Sequence, residues 1–256
     1  MIVLVIALLA LIAVVMIARR NRPVDARFVT FADAKYAATL RRIECQARRV
    51  FRAVHAYSEK DLEGEFDNSH ASFVRDNPRG YGYWIWKPYV VRKAMREARE
   101  GEVVVYADAG CTIGSRARLR ELVAMTSIPD DGLVAFLVPM RYDPRESRWT
   151  KREVLRVFGV DDDESSRQIM ATALLIKNTA RNRAFVDEWY HLCSRYGLVD
   201  DTLSEEQRPE FSEHRHDQSL FSMLIKTTRR RDAIVLEDEI ETHRARDAIR
   251  ATRKKY

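Results

Sequence analysis

The chain has 256 residues, with 44 Lys and Arg against 38 Asp and Glu, a length that holds one sizeable α/β domain and is short for two. Arg19, Arg20 and Arg22 account for three of the basic residues, leaving 41 against 38 beyond them, which excludes a polyanion-coating surface and gives no reason to expect a nucleic-acid partner. Three cysteines without CxxC spacing exclude both a disulfide framework and a cysteine-based zinc site.

Residues 1–18 carry no charge and are rich in Leu, Ile, Val and Ala. They reach the lower limit for a membrane-spanning helix. The basic cluster follows the apolar run instead of preceding it, which predicts a retained anchor over a cleaved signal, with the domain in the cytoplasm. The expected organisation is an anchor at 1–18, a basic linker at 19–26, one domain at 27–240 and a basic, solvated tail at 241–256.

Within the domain, residues 27–31 read as a strand leading into a helix at 34–48, the opening unit of an α/β sheet. A second strand is expected at 50–57, then helix and loop at 66–79. Residues 79–89 form a Gly- and aromatic-rich turn that opens an amphipathic helix. Val103, Val104, Val105 and Tyr106 run without a polar break, as in a strand buried on both faces. Ser115 caps a helix reaching residue 126, and another buried strand spans 132–140. A polar, site-forming loop covers 141–148, a helix opens at Trp149-Thr150-Lys151-Arg152, and an acidic connection at 161–166 precedes a strand at 171–176. Asn178 or Thr179 caps a helix whose Phe185, Trp189, Leu192 and Cys193 share one face, the spacing of a core stripe. A long acidic loop at 197–211 delivers His214-Arg215-His216-Asp217-Gln218-Ser219 to the start of a helix at 220–226. A late strand covers 233–236.

Three clusters could carry chemistry. Lys87 lies among Trp84, Trp86 and Tyr89, a composition suited to a flat or anionic ligand. Asp108 follows the valine run, where α/β sheets bind ligands at strand ends, although an Asp there also opens turns. Asp217 heads a helix, as a plain cap or as a carboxylate in a site. Asp108 and His216 could share Mn²⁺ or Mg²⁺. No HExxH, GxSxG, P-loop or GxGxxG pattern occurs.

The succession GYGYWIWKPY, VVVYADAGC and HRHDQS, together with the strand at 27–31, resembles GT-A-type glycosyltransferases of bacterial polysaccharide gene sets and large DNA viruses. The similarity runs from about residue 27 to residue 226. It implies a single GT-A-like domain with a mostly parallel sheet, a nucleotide-sugar donor and a glycan or lipid-linked acceptor, in surface polysaccharide synthesis. Asp108 would be the surviving acid of an Asp-x-Asp element whose first position is here Tyr106. That departure keeps open a second reading, a binding partner with a degenerate site and no turnover. Asp108 and Asp217 would be the catalytic carboxylates, and Asp108 with His216 the metal ligands. Thr30, Phe31, Ala32, Tyr83, Trp86, Lys87, Tyr106, Gly110 and Gln218 would contact the donor. Asp217 would serve as base in an inverting reaction, or Asp217 or Gln218 by electrostatics in a retaining one.

Overall fold

The computed structural model describes residues 22–62, 64–128, 132–160, 166–229 and 232–252. Among them no helix is long and apolar enough to cross a membrane. The expected anchor at 1–18 lies outside the described residues, as does most of the acidic connection at 161–166.

A six-stranded sheet organises the molecule, in the order β2 (Phe51–Tyr57), β1 (Val24–Phe31), β3 (Val103–Ala107), β6 (Ile169–Lys177), β5 (Leu133–Leu137) and β7 (Ala233–Leu236). β6 runs antiparallel to both neighbours, while the other pairs are parallel. The sheet is therefore mixed, and largely parallel as expected. β1 begins at Val24 and so takes up part of the expected linker, because Val24 and Ala26 alternate inward with Phe28 as a strand requires.

Alternation along the strands divides the core into two layers. Val104 and Tyr106 face one layer with Val29 and Phe31. Val103, Val105 and Ala107 face the other with Ala26 and Phe28. The first layer is covered by α3 (Trp86–Glu97), α6 (Ala180–Ser194) and α7 (Asp217–Thr228), the second by α1 (Ala37–Arg48) and α4 (Arg116–Met125). α2 (Glu65–Asp76) precedes the aromatic turn, and α5 (Arg152–Val157) lies between β5 and β6 in the chain. Ser115 caps α4 by accepting from the Arg118 amide, and Thr179 caps α6 by accepting from that of Asn182. Phe185, Trp189, Leu192 and Cys193 are all buried, as their spacing predicts.

The C-terminal residues differ from the solvated tail the sequence led us to expect. β4 (Thr112–Ile113) pairs antiparallel with β8 (Ile249–Arg250), and Ala248, Ile249 and Ala251 are buried. A few apolar residues among many charges are enough to anchor the segment when a short free strand is available to pair with.

Candidate active site

The turn before α3 has an unusual hand. Gly80, Tyr81, Gly82, Tyr83 and Trp84 all have φ between 53° and 79°. Consecutive left-handed residues are unfavourable for L-amino acids, so a run of five needs support. The Gly82 amide donates to Asn77 O at 2.9 Å, the Tyr83 amide to Arg79 O at 2.8 Å, and Trp86 Nε1 to Gly80 O at 2.9 Å. A Cβ on Gly80 would lie 2.5 Å from the Trp84 ring, so the turn closes over a position only glycine fills. Its outcome is to set Tyr81 near Phe31, and Tyr83 and Trp84 against His216.

α3 then carries Lys87 under the ends of the two central strands, β3 and β6, where three distant segments meet. Lys87 Nζ lies 2.9 Å from Asp217 Oδ2, 3.3 Å from Asp108 Oδ1 and 3.3 Å from Ala171 O. Asp108 follows β3 and its amide donates to Thr172 O. Asp217 opens α7, its carbonyl accepting from Trp189 Nε1 at 3.0 Å. Lys87 and Asp217 are buried, whereas the Asp108 side chain is 35% exposed. Tyr106 OH donates to Asp108 Oδ1 at 2.7 Å.

Burial pushes the Asp217 carboxyl up to about 6, against the opposing pull of the Lys87 ammonium. Burial alone would lower Lys87, but Asp108 and Asp217 outweigh it and hold the ammonium above its ordinary range. The Tyr106 phenol is raised by burial and by Asp108, so it remains a neutral donor.

A cavity of about 370 Å³ opens over this triad, at the carboxyl ends of the parallel strands. Its walls include Lys87, Asp108, Gly110, His216, Asp217 and Gln218, all named from the sequence. A second cavity of about 560 Å³ adjoins it, walled by Phe31, Ala32, Tyr81, Trp84 and Trp86, and shares Arg79, Trp84, Asp108 and Gly110 with the first. Three expected contacts are not among the lining residues. Thr30 and Tyr106 are fully buried, because alternation turns them into the sheet's interior, and Tyr83, half-buried, stacks on His216.

The structure adds residues that the sequence reading missed. Gln168, Met170 and Thr172 reach the cavity from the start of β6, where the β5–β6 register shifts, a bulge of the kind found beside sites. Their two-residue spacing is the signal that was present. Gln218 Oε1 accepts from the Ala171 amide, and its Nε2 donates to Gln168 Oε1 at 2.7 Å. Gln168 Nε2 in turn donates to the buried Glu146, so Gln218 reaches the cavity in a fixed orientation. Arg79 and Arg215 also line the cavity, with Trp149 and Tyr142; Arg215 belongs to the polar cluster that heads α7 in the sequence, whereas nothing there gave either arginine a role.

His216 has φ 52° and ψ −122° at the head of α7. Its Nδ1–H donates to Val199 O at 2.8 Å, which leaves a lone pair on Nε2, a buried atom without a hydrogen-bond partner in the protein. Burial holds the imidazole neutral, lowering it to about 4. That lone pair suits a ligand hydroxyl or a cation. The rest of the site does not fit a metal held by the protein itself. Asp108 Oδ1 is already engaged by Tyr106 and by an ammonium, and a divalent ion at that carboxylate would stand beside Lys87. Among the described residues, no group of three or more His, Cys, Asp or Glu is arranged to hold a metal ion.

No family model and no curated protein matches the chain. Among solved structures, mouse xyloside xylosyltransferase 1 in its apo form aligns over 85% of this chain and 87% of that one, at 12% identity and a TM-score of 0.47. The galactosyltransferase LgtC, in complex with donor and acceptor sugar analogues, aligns over 88% and 86%, at 15% identity and 0.45. The bifunctional glycosyltransferase WbbM aligns over 84% of this chain and 39% of its own, at 9% identity and 0.45. At TM-scores below 0.5 these likenesses carry no functional weight.

Proposed function

We propose that the protein is a GT-A-type glycosyltransferase, which moves a sugar from a nucleotide-sugar donor to a glycan or lipid-linked acceptor. The observation that carries this reading is the convergence of Lys87, Asp108 and Asp217 on one cavity. The adjoining aromatic cavity has the size and lining for a nucleoside, so one extended ligand would fill both. The apolar run at residues 1–18 supports an acceptor held at a membrane.

Glycosyl transfer builds positive charge on the sugar while negative charge grows on the departing diphosphate. Asp217 suits the sugar side: a carboxyl near 6 is ionised at neutral pH yet basic enough to take the acceptor's proton. Lys87 keeps two neighbouring carboxylates together, and the Tyr106 hydroxyl fixes the rotamer of Asp108 toward the cavity. Gln218 offers an oriented amide to a sugar hydroxyl.

A thermal-shift screen of UDP-, GDP-, CMP- and dTDP-sugars tests the donor class, since a ligand that binds the native state raises its melting temperature. Transfer by the selected donor should then vanish in Asp108→Ala, with the fold retained. Unchanged turnover in that variant would remove the assignment.

A further inference from the structure

A donor lying across both cavities must pass its diphosphate over the wall they share, formed by Arg79, Trp84, Asp108 and Gly110. Asp108 repels phosphate. Lys87, the cation expected there from the sequence, is 4% exposed, with its ammonium held between the Asp217 and Asp108 carboxylates and hydrogen-bonded to Ala171 O. Releasing one of them would leave a buried charge uncompensated.

Arg79 is placed differently. Its guanidinium is 47% exposed, with Asp201 Oδ2 at 3.0 Å and Glu213 Oε2 at 3.5 Å. Arg215 lines the same cavity, stacked on Trp149 at 4.2 Å and 3.0 Å from Glu213 Oε1. Asp201 and Glu213 are themselves 43% and 39% exposed. Exposed ion pairs of this kind contribute only about 0–1 kcal/mol, so an incoming anion displaces them easily. The planar fork of a guanidinium matches phosphate oxygens better than an ammonium does.

We infer that Arg79 and Arg215 form an arginine clamp for the donor's diphosphate, exchanging Asp201 and Glu213 for phosphate oxygens, and that this clamp neutralises the leaving group without a bound metal. The inference rests on the glycosyltransferase reading and deepens it. It also accounts for Tyr106 at the first position of an otherwise acidic pair: with guanidinium groups at the diphosphate, the second metal carboxylate has no task.

The test is calorimetric titration of the full chain, in detergent, with inorganic pyrophosphate in EDTA and again in Mn²⁺, followed by the nucleotide-sugar panel. Wild type binds pyrophosphate in EDTA, and Arg79→Gln and Arg215→Gln each weaken it at least tenfold. Arg79→Lys falls between wild type and Arg79→Gln. Asp201→Asn separates an anion-binding role from a structural one. It removes the same ion pair while sparing the arginine, so the clamp predicts tighter binding and a merely structural pair predicts weaker. Equal affinity in wild type and both Gln variants, or binding that needs Mn²⁺, overturns the clamp; if nucleotide sugars still bind, the glycosyltransferase reading stands. Failure of pyrophosphate and of every nucleotide sugar to bind wild type in either buffer overturns both.

Discussion

Asp217 Oδ2 lies 2.9 Å from Lys87 Nζ, joining the first turns of two helices that are far apart in the chain and packed on the same sheet layer. Both groups are buried, so neither charge is tolerable without the other. Replacing Lys87 by Met leaves two carboxylates unpaired and should cost about 3–5 kcal/mol. The Lys87 charge holds Asp217 down, so its removal raises that carboxyl above about 6. The penalty should therefore be larger at pH 8 than at pH 5, as read from urea unfolding at both.

Asp217 also gives the wild type a signed pH dependence. Its folded value, about 6, lies above that of an unfolded aspartate. The stability it contributes is complete below the unfolded value and lost as pH rises through about 6. Compared with Asp217→Asn, the wild type should lose on the order of 2–3 kcal/mol between pH 4 and pH 7. Parallel denaturant titrations of the two proteins across that range measure the difference. Turnover should rise over the same interval, because the ionised form is the one that accepts a proton.

Tyr106→Phe removes one hydroxyl and leaves the core volume unchanged. The lost bond to Asp108 is charge-assisted, worth about 2 kcal/mol. The melting temperature should fall modestly, while turnover drops roughly tenfold as Asp108 gains freedom. A melt and a rate measurement on the same sample distinguish this from general unfolding.

Two glycines separate backbone strain from crowding. Gly80→Ala meets the Trp84 ring at φ +59° and should cost about 1–3 kcal/mol, with weaker nucleotide binding. Gly101 has φ +78° with nothing within 4 Å of the added carbon, so its alanine variant should cost only about 1 kcal/mol and leave binding unchanged. Equal effects on binding would detach the left-handed turn from the site.

How far the site could be read in advance depended on the kind of signal. Asp108 was legible because an unbroken valine run ends beside it, and Asp217 because a cluster of polar groups heads a helix. Lys87 stands out through its aromatic neighbours, but spacing does not show that its ammonium is buried between two carboxylates. The motif points Tyr106 at the donor, whereas strand alternation turns its ring inward and leaves only the hydroxyl to reach Asp108, the next residue on that face. The hand of the Gly80–Trp84 run was illegible, since Tyr81, Tyr83 and Trp84 adopt conformations that their own preferences oppose. Strand direction was equally hidden, because β6 has the same composition whichever way it runs.

The order of the strands in the sheet has a consequence during synthesis. β5 pairs only with β6 and β7, both of which follow it in the chain. While the ribosome is still adding residues beyond Leu137, β1, β2 and β3 can already associate, but Leu-Val-Ala-Phe-Leu has no neighbour to hydrogen-bond with. The nascent protein thus carries a sticky, unshielded ribbon until Lys177 emerges, and the cavity floor at Met170 and Thr172 is laid down in the same step that covers it.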